Sequence, residues 1–183
     1  TEYEGRKMLD LSSNCNAKGM PLSVIEAAKR GVEESSCYPD PHCRLLKKAL
    51  AQYHELPQDW FFCGNGAAEV IYRLAAAFGP GKVLVTAPTF GEYEAACRQM
   101  GAQMVFYSLQ QEHDFVPQED LLSAMKGMDM VFLCHPNNPN GATLPWHILE
   151  QGVKLCARQG TILVVDECFL PFVKGARSAL SLL

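Results

Sequence analysis

Four short apolar runs constrain this chain more than any other feature: KVLVTAP from Lys82, QMVFYSL from Gln103, MVFLCHP from Met130 and TILVVDE from Thr161. Each has the length and composition of one strand, and Val131, Phe132 and Leu133 form an unbroken apolar stretch of the kind buried on both faces of a parallel sheet. Between the runs, helical stretches are expected over residues 90–100, 117–125 and 144–157. Upstream, WFFC is expected as a short strand and GNGAAEVIYRLAAAF as a helix, since its apolar residues recur at helical spacing. PLSVIEAAKRGVEES places Pro21 at a first helical position, and DPHCRLLKKALAQY places Asp40 as a cap with Pro41 behind it. Strand, helix and strand in repeated alternation predict an α/β fold of three layers, with a mostly parallel sheet covered on both faces.

The stretch VFLCHPNNPNGATLP, residues 131–145, shows where such a sheet does its work. Pro136 and Pro139 remove backbone donors and end the strand. In an open α/β sheet, ligands bind where strands end and the chain leaves for a helix. Asn137 and Asn138 stand there and are both binding candidates.

Composition narrows the class of partner. The chain has 183 residues, 48% hydrophobic and 20% charged, with a net charge of −4, which describes a globular domain with its own core. Its 16 Lys and Arg are scattered, with no basic stripe interleaved with aromatics, so nucleic acid is not expected as a partner. No apolar run approaches the roughly 20 residues that span a bilayer, and TEYEGRKMLD lacks the apolar core of a signal peptide. A cytoplasmic protein without membrane contact is expected. The 8 cysteines include no C-x-x-C pair, and in FFC, FLC and KLC they read as small reduced core residues. Cys37, His42 and Cys43 in CYPDPHC supply fewer ligands than a structural zinc takes, so no metal site is expected.

Three further turns carry chemistry. In CGNGAAE, Gly64 and Gly66 open a helix whose free N–H groups and dipole favour an anion such as a phosphate. A dinucleotide fingerprint is disfavoured, because Glu69 stands where a third small residue belongs. In PTFGEYE, Phe90 and Tyr93 lie one helical turn apart and are expected to face one spot above the strand ends, with plain core packing as the alternative. In VVDECF, Asp166 closes an apolar run. A carboxylate there needs a cation, a proton donor or a capping role to offset its desolvation.

Together these turns describe a ligand with an anionic group, a flat ring and a protonated ring nitrogen. NNPNG, DECF, GNGAAE and PTFGEY, in their chain positions, resemble the large domain of pyridoxal-phosphate enzymes of the aspartate-aminotransferase fold type. LDLSSNCNAKGMP, YPDP and DECFLPF are similar to the branch that contains histidinol-phosphate aminotransferases and, more closely, threonine-phosphate decarboxylases. The similarity runs from about Leu9 to the last residue. It implies an N-terminal arm with a portion of a small domain over residues 1–36, and an incomplete cofactor-binding large domain over residues 37–183.

What the resemblance implies can be stated position by position. Asn138 donates to the phenolic oxygen of pyridoxal 5'-phosphate, across a cis bond to Pro139, and Asp166 keeps the pyridine nitrogen protonated, so that the ring accepts electrons. Phe90 stacks on the ring with Tyr93 close by, and Asp166, Asn138 and Phe90 form the catalytic set. The backbone at Gly66, Ala67 and Ala68 holds the cofactor phosphate. Tyr38 reaches that phosphate across a dimer interface, so a homodimer is implied. Asn14 lies near the phosphate of a small phosphorylated amino-acid substrate.

Three departures from the family pattern stand out. Phe169 replaces a tyrosine that commonly bonds the phenolic oxygen, which tilts the expectation toward the decarboxylase branch. Ala68 lacks a hydroxyl that relatives offer the phosphate, and Ala17 replaces a common proline. The lysine to which the cofactor is joined is expected in a Ser-x-x-Lys-like motif beyond SALSLL, and Lys174, in the loop PFVKGARS, is a poor substitute. The arginine for the substrate carboxylate and about two sheet strands are likewise expected further along, so the chain reads as the front half of a longer enzyme, inactive by itself. The expected activity is decarboxylation of L-threonine O-3-phosphate to aminopropanol phosphate in cobalamin synthesis. The alternatives are a histidinol-phosphate or related aminotransferase, and a non-catalytic cofactor-binding fragment.

Overall fold

The computed structural model describes residues 2–3, 6–7, 14, 16 and 18–183. Leu9 and Ala17, with most of LDLSSNCNAKGMP, lie outside the described residues. The chain forms two compact units, Thr1–Phe61 and Phe62–Leu183, and the arm expected over residues 1–36 lies within the first. No helix of the described residues is long and apolar enough to cross a membrane.

In the first unit, β1 (Glu2–Tyr3) pairs antiparallel with β2 (Arg6–Lys7), followed by α1 (Leu22–Glu33) and α2 (Arg44–His54). Pro21 occupies the N-cap of α1 rather than the expected first helical position. At α2 the N-cap is Cys43, in left-handed conformation. Asp40 still does a cap's work, because its carboxylate accepts from the Arg44 N–H at 2.8 Å and the His42 N–H at 3.1 Å. Those two N–H groups hold the Asp40 carboxyl below its usual range.

The expected strand at WFFC is not present. Phe61 is extended, at φ −101° and ψ 131°, but no described strand lies beside it to complete a ladder, and Phe62 is 56% exposed. An apolar run becomes a strand only when a partner edge takes its hydrogen bonds.

The second unit runs α3 (Gly66–Phe78), β3 (Lys82–Ala87), α4 (Glu92–Gln99), β4 (Gln103–Ser108), α5 (Leu121–Ala124), β5 (Met130–Cys134), α6 (Trp146–Gln159) and β6 (Ile162–Asp166). Each of the four apolar runs is a strand, and all pair in parallel in the order β4-β3-β5-β6. Alternate strand residues feed two cores. Val83, Val85, Met130 and Phe132 pack with α3 and α4. Leu84, Val131 and Leu133 pack on the other face with α5 and α6. Every residue of β5 is buried, which is why its sequence lacks polar alternation. The three-layer α/β fold follows as expected.

The strand order also fixes where a ligand can sit. From β3 the chain crosses outward to β4, then returns to β5 on the other side of β3 and continues to β6. The connections leaving β3 and β5 therefore diverge, and this switch point opens a crevice at the strands' C-terminal ends.

Candidate functional site

The C-terminal edge of the sheet brings together loops that are far apart in sequence. After β3 come Pro88, Thr89 and Phe90; after β5 comes His135 to Pro145; after β6 comes Asp166 and its turn. The β5–β6 register sets Cys134 opposite Asp166, and the His135 N–H donates to the Asp166 carbonyl at 2.8 Å. Ala67 of α3 and Phe90 both pack against the core cluster that includes Cys134, so the start of α3 borders the same edge.

Asp166 finds the proton donor that its position demands. The Tyr93 hydroxyl donates to Asp166 Oδ2 at 2.7 Å, and the Cys168 N–H donates to Oδ1 at 3.0 Å. Both sequence alternatives therefore coexist, since the carboxylate meets a donor and also caps the turn after β6. Burial first, then the neighbouring Cys134 and Asp166, push the Tyr93 hydroxyl far above the ordinary phenol range. It stays a protonated donor at any ordinary pH.

Phe90 and Tyr93 do not share one spot above the strand ends. Their rings meet edge to face at 5.6 Å and 82°, but only Phe90 stands half-buried at the rim. Tyr93 is 0% exposed and lies on Phe132, with ring centroids 5.0 Å apart and planes 15° from parallel. The expected helical spacing does not hold, because Phe90 lies in the loop before Gly91, the N-cap of α4, and only Tyr93 is in the helix, whose first turn carries its ring into the core.

The two asparagines part in the same way. Asn137 is 7% exposed, and its side chain is fully engaged with Thr89, Pro88 and Asn140. The expectation that it binds a ligand is corrected: its hydrogen-bonding capacity is used by the scaffold. Asn138 is half-buried, and its side-chain amide has no partner among the described residues. The bond from Asn138 to Pro139 is cis, as are those from Ala87 to Pro88 and from His135 to Pro136.

At α3, Gly66 adopts φ +83°, a left-handed conformation that glycine reaches without strain, and no atom lies within 4 Å of where a Cβ would stand. Its N–H turns back to the Gly64 carbonyl at 3.0 Å. Of the three expected phosphate donors, Ala67 and Ala68 are thus the two whose N–H groups have no backbone acceptor among the described residues. Glu69 accepts the Asn65 N–H at 2.7 Å and pairs with Arg73 at 2.7 Å. Those contacts, the Asn65 N–H first, keep its carboxyl below the usual range. Glu69 thereby stiffens the turn instead of packing under it.

Tyr38, 93% exposed, and Asn14, also exposed, belong to the first unit. Lys174 is exposed in a separate turn beyond the short 3-10 helix Leu170–Phe172 that follows β6. Sequence reasoning passed over Thr89, His135 and Asn140, which tie the loops together. The sole local signal for them was their place beside Pro88, Pro136 and Pro139.

The donor set suits a flat, anionic, nitrogen-containing ring. Among the described residues it comprises N–H groups without a backbone acceptor at a helix start, an amide without a partner, an aromatic rim and a carboxylate oriented by a buried hydroxyl. Comparison with known proteins gives the family. The family model "Aminotransferase class I and II" matches residues 6–183. A threonine-phosphate decarboxylase of Salmonella typhimurium is 33% identical over 168 residues, covering 91% of this chain and 46% of the relative. A histidinol-phosphate aminotransferase of Desulfitobacterium hafniense is 33% identical over 181 residues, covering 93% and 49%. The crystal structure of a histidinol-phosphate aminotransferase from Clostridium acetobutylicum superposes with a TM-score of 0.79 at 30% identity, covering 90% of this chain and 48% of that one. The chain therefore spans about half the length of the relatives that it matches. With a parallel sheet, a switch-point crevice and a match along nearly its whole length, the chain belongs to the class I and II aminotransferase family.

Proposed function

We propose that this chain is the cofactor-binding portion of a pyridoxal-phosphate enzyme that decarboxylates L-threonine O-3-phosphate to aminopropanol phosphate, a step of cobalamin synthesis. One observation carries the cofactor reading: the Asp166 carboxylate is held at the end of β6 by the Tyr93 hydroxyl at 2.7 Å. A carboxylate placed at the open end of a buried strand is suited to a protonated ring nitrogen.

When bound, pyridoxal phosphate supplies a cationic ring that accepts the electron pair left behind as a bond at the substrate's α-carbon breaks. Asp166 holds the proton on the pyridine nitrogen. Asn138 donates to the phenolic oxygen. Phe90 covers one ring face and excludes water from it. The N–H groups of Ala67 and Ala68, at the positive end of α3, take the phosphate. In decarboxylation the substrate carboxyl group leaves as carbon dioxide and a proton takes its place on the α-carbon.

The decarboxylase reading is favoured by the Salmonella relative and by Phe169 in DECF, where the family commonly has tyrosine. The aminotransferase reading is supported by the Desulfitobacterium protein, which is also 33% identical. Exposed Tyr38 is proposed to reach the cofactor phosphate of a second copy in a homodimer, and Asn14 to meet the substrate phosphate. Both readings are tested with the full-length protein, supplied in turn with threonine phosphate, and with histidinol phosphate plus 2-oxoglutarate. Release of carbon dioxide from the first without amino transfer from the second supports the decarboxylase. Transfer at a comparable rate replaces it with the aminotransferase.

A further inference from the structure

The two loops that frame the crevice share one pattern. In each, the residue just before the proposed cofactor ligand is a scaffold residue: Thr89 precedes Phe90, and Asn137 precedes Asn138. These scaffold residues bond to each other, with Thr89 Oγ1 donating to Asn137 Oδ1 at 2.9 Å. Asn137 Nδ2 donates to the Pro88 carbonyl and to Asn140 Oδ1, each at 3.0 Å. Its backbone N–H donates to the Ala142 carbonyl at 2.8 Å, and its carbonyl accepts the Gly141 N–H at 2.7 Å. Every donor of this buried residue is used and both of its oxygens accept a bond.

The network continues outward. Asn140 Oδ1 also accepts the Ala142 N–H at 3.2 Å, and Asn140 Nδ2 donates to the Phe115 carbonyl at 3.4 Å. Phe115 has φ 56°, a left-handed conformation that a bulky residue keeps only where its surroundings impose it.

We propose that Thr89 and Asn137 form a positioning clasp that fixes Asn138 relative to Phe90 and so sets how firmly the cofactor ring is held. The clasp rests on the reading that Asn138 and Phe90 meet that ring. Hydrogen bonds weaken steeply with distance and angle, and a binding group must be held to within about 0.5 Å by its supporting shell. Asn138 has no side-chain partner of its own among the described residues, so its aim depends on the neighbour that does.

The test uses the full-length protein and pyridoxine 5'-phosphate, which keeps the ring, phenolic oxygen and phosphate but lacks the aldehyde, so binding reports the non-covalent grip alone. Thr89→Ser keeps the hydroxyl and is expected to bind as tightly as the wild type. Thr89→Val keeps the shape, loses the donor and leaves Asn137 Oδ1 without a partner, and is expected to bind about ten-fold more weakly. With Asn138 first changed to Ala, adding Thr89→Val is expected to change affinity less than about two-fold, since residues acting through one another are not additive. An equal loss in both backgrounds makes the bond mere scaffolding and overturns the proposal. So does tight binding by Thr89→Val. A wild-type protein that binds no pyridoxine 5'-phosphate overturns the cofactor reading and the clasp with it, an outcome distinct from the other two.

Discussion

The Tyr93 hydroxyl and the Asp166 carboxylate, 73 positions apart in the sequence, meet at 2.7 Å at the C-terminal end of β6. The phenol ring lies wholly in the core on Phe132 while its oxygen holds the half-buried Asp166 carboxylate, so one residue couples packing to the proposed ring-binding site. Tyr93→Phe keeps the packing and removes the donor. A hydrogen bond to a charged group contributes about 1.5–3 kcal/mol, and a loss of unfolding free energy in about that range is expected in urea titration. An unchanged midpoint would mean that the hydroxyl does not orient Asp166.

Asp166 is predicted to matter through its charge more than its shape. Asp166→Asn retains an acceptor for Tyr93 or for the Cys168 N–H but carries no charge to hold a proton on the ring nitrogen. In the full-length enzyme, turnover is expected to fall about hundred-fold or more, the scale seen when a preorganised electrostatic partner is removed. Cofactor affinity is expected to change far less. A variant that keeps most of its rate would leave the residue with its capping role alone.

His135 gives the β5 loop a dependence on pH. It is 4% exposed, and its Nδ1 accepts the Leu144 N–H at 2.9 Å, an arrangement open only to the unprotonated nitrogen. Burial lowers its pKa from the ordinary value of 6.5, opposed by Glu167 and by the Arg177 backbone. The unfolded chain therefore takes up this proton first as the medium acidifies. The contribution to stability is complete above about 6.5 and is lost as pH falls toward the lowered native value. Urea midpoints at about pH 7.5 and about pH 5.5 should converge in His135→Asn relative to the wild type. An equal spread in both proteins would assign the acid sensitivity to other groups.

Phe169 tests the choice of reaction. It packs near Phe172, with ring centroids 6.4 Å apart, and offers no donor. Phe169→Tyr supplies one, and a bond to a charged oxygen is worth about 1.5–3 kcal/mol. In the full-length protein, the visible absorbance of the bound cofactor should then shift in its pH dependence while activity on threonine phosphate persists. Identical titration curves would show that residue 169 does not reach the phenolic oxygen.

Periodicity is a local property, and whatever depends on it was legible in the chain alone. The four strands, the helices between them and the parallel α/β class follow from apolar runs and spacing, because burying those runs on both faces has few solutions. The positions of Asn138, Phe90 and Asp166 at strand ends follow for the same reason. WFFC has strand composition but lacks a described partner strand, and pairing is a property of two segments.

The division of labour between neighbours was decided by the tertiary structure. Nothing in NN tells which amide is spent on the scaffold. Asn137 turns inward because Pro88 and Thr89, 49 and 48 positions away, present an acceptor and a donor there, and a buried amide must satisfy all its groups. Phe90 and Tyr93 look equivalent at helical spacing, yet only the packing of α4 against Phe132 sends one ring into the core. The residue types and their order were determined by the sequence. Which of two similar side chains faces the crevice was settled by hydrogen-bond partners that only the folded chain brings within reach.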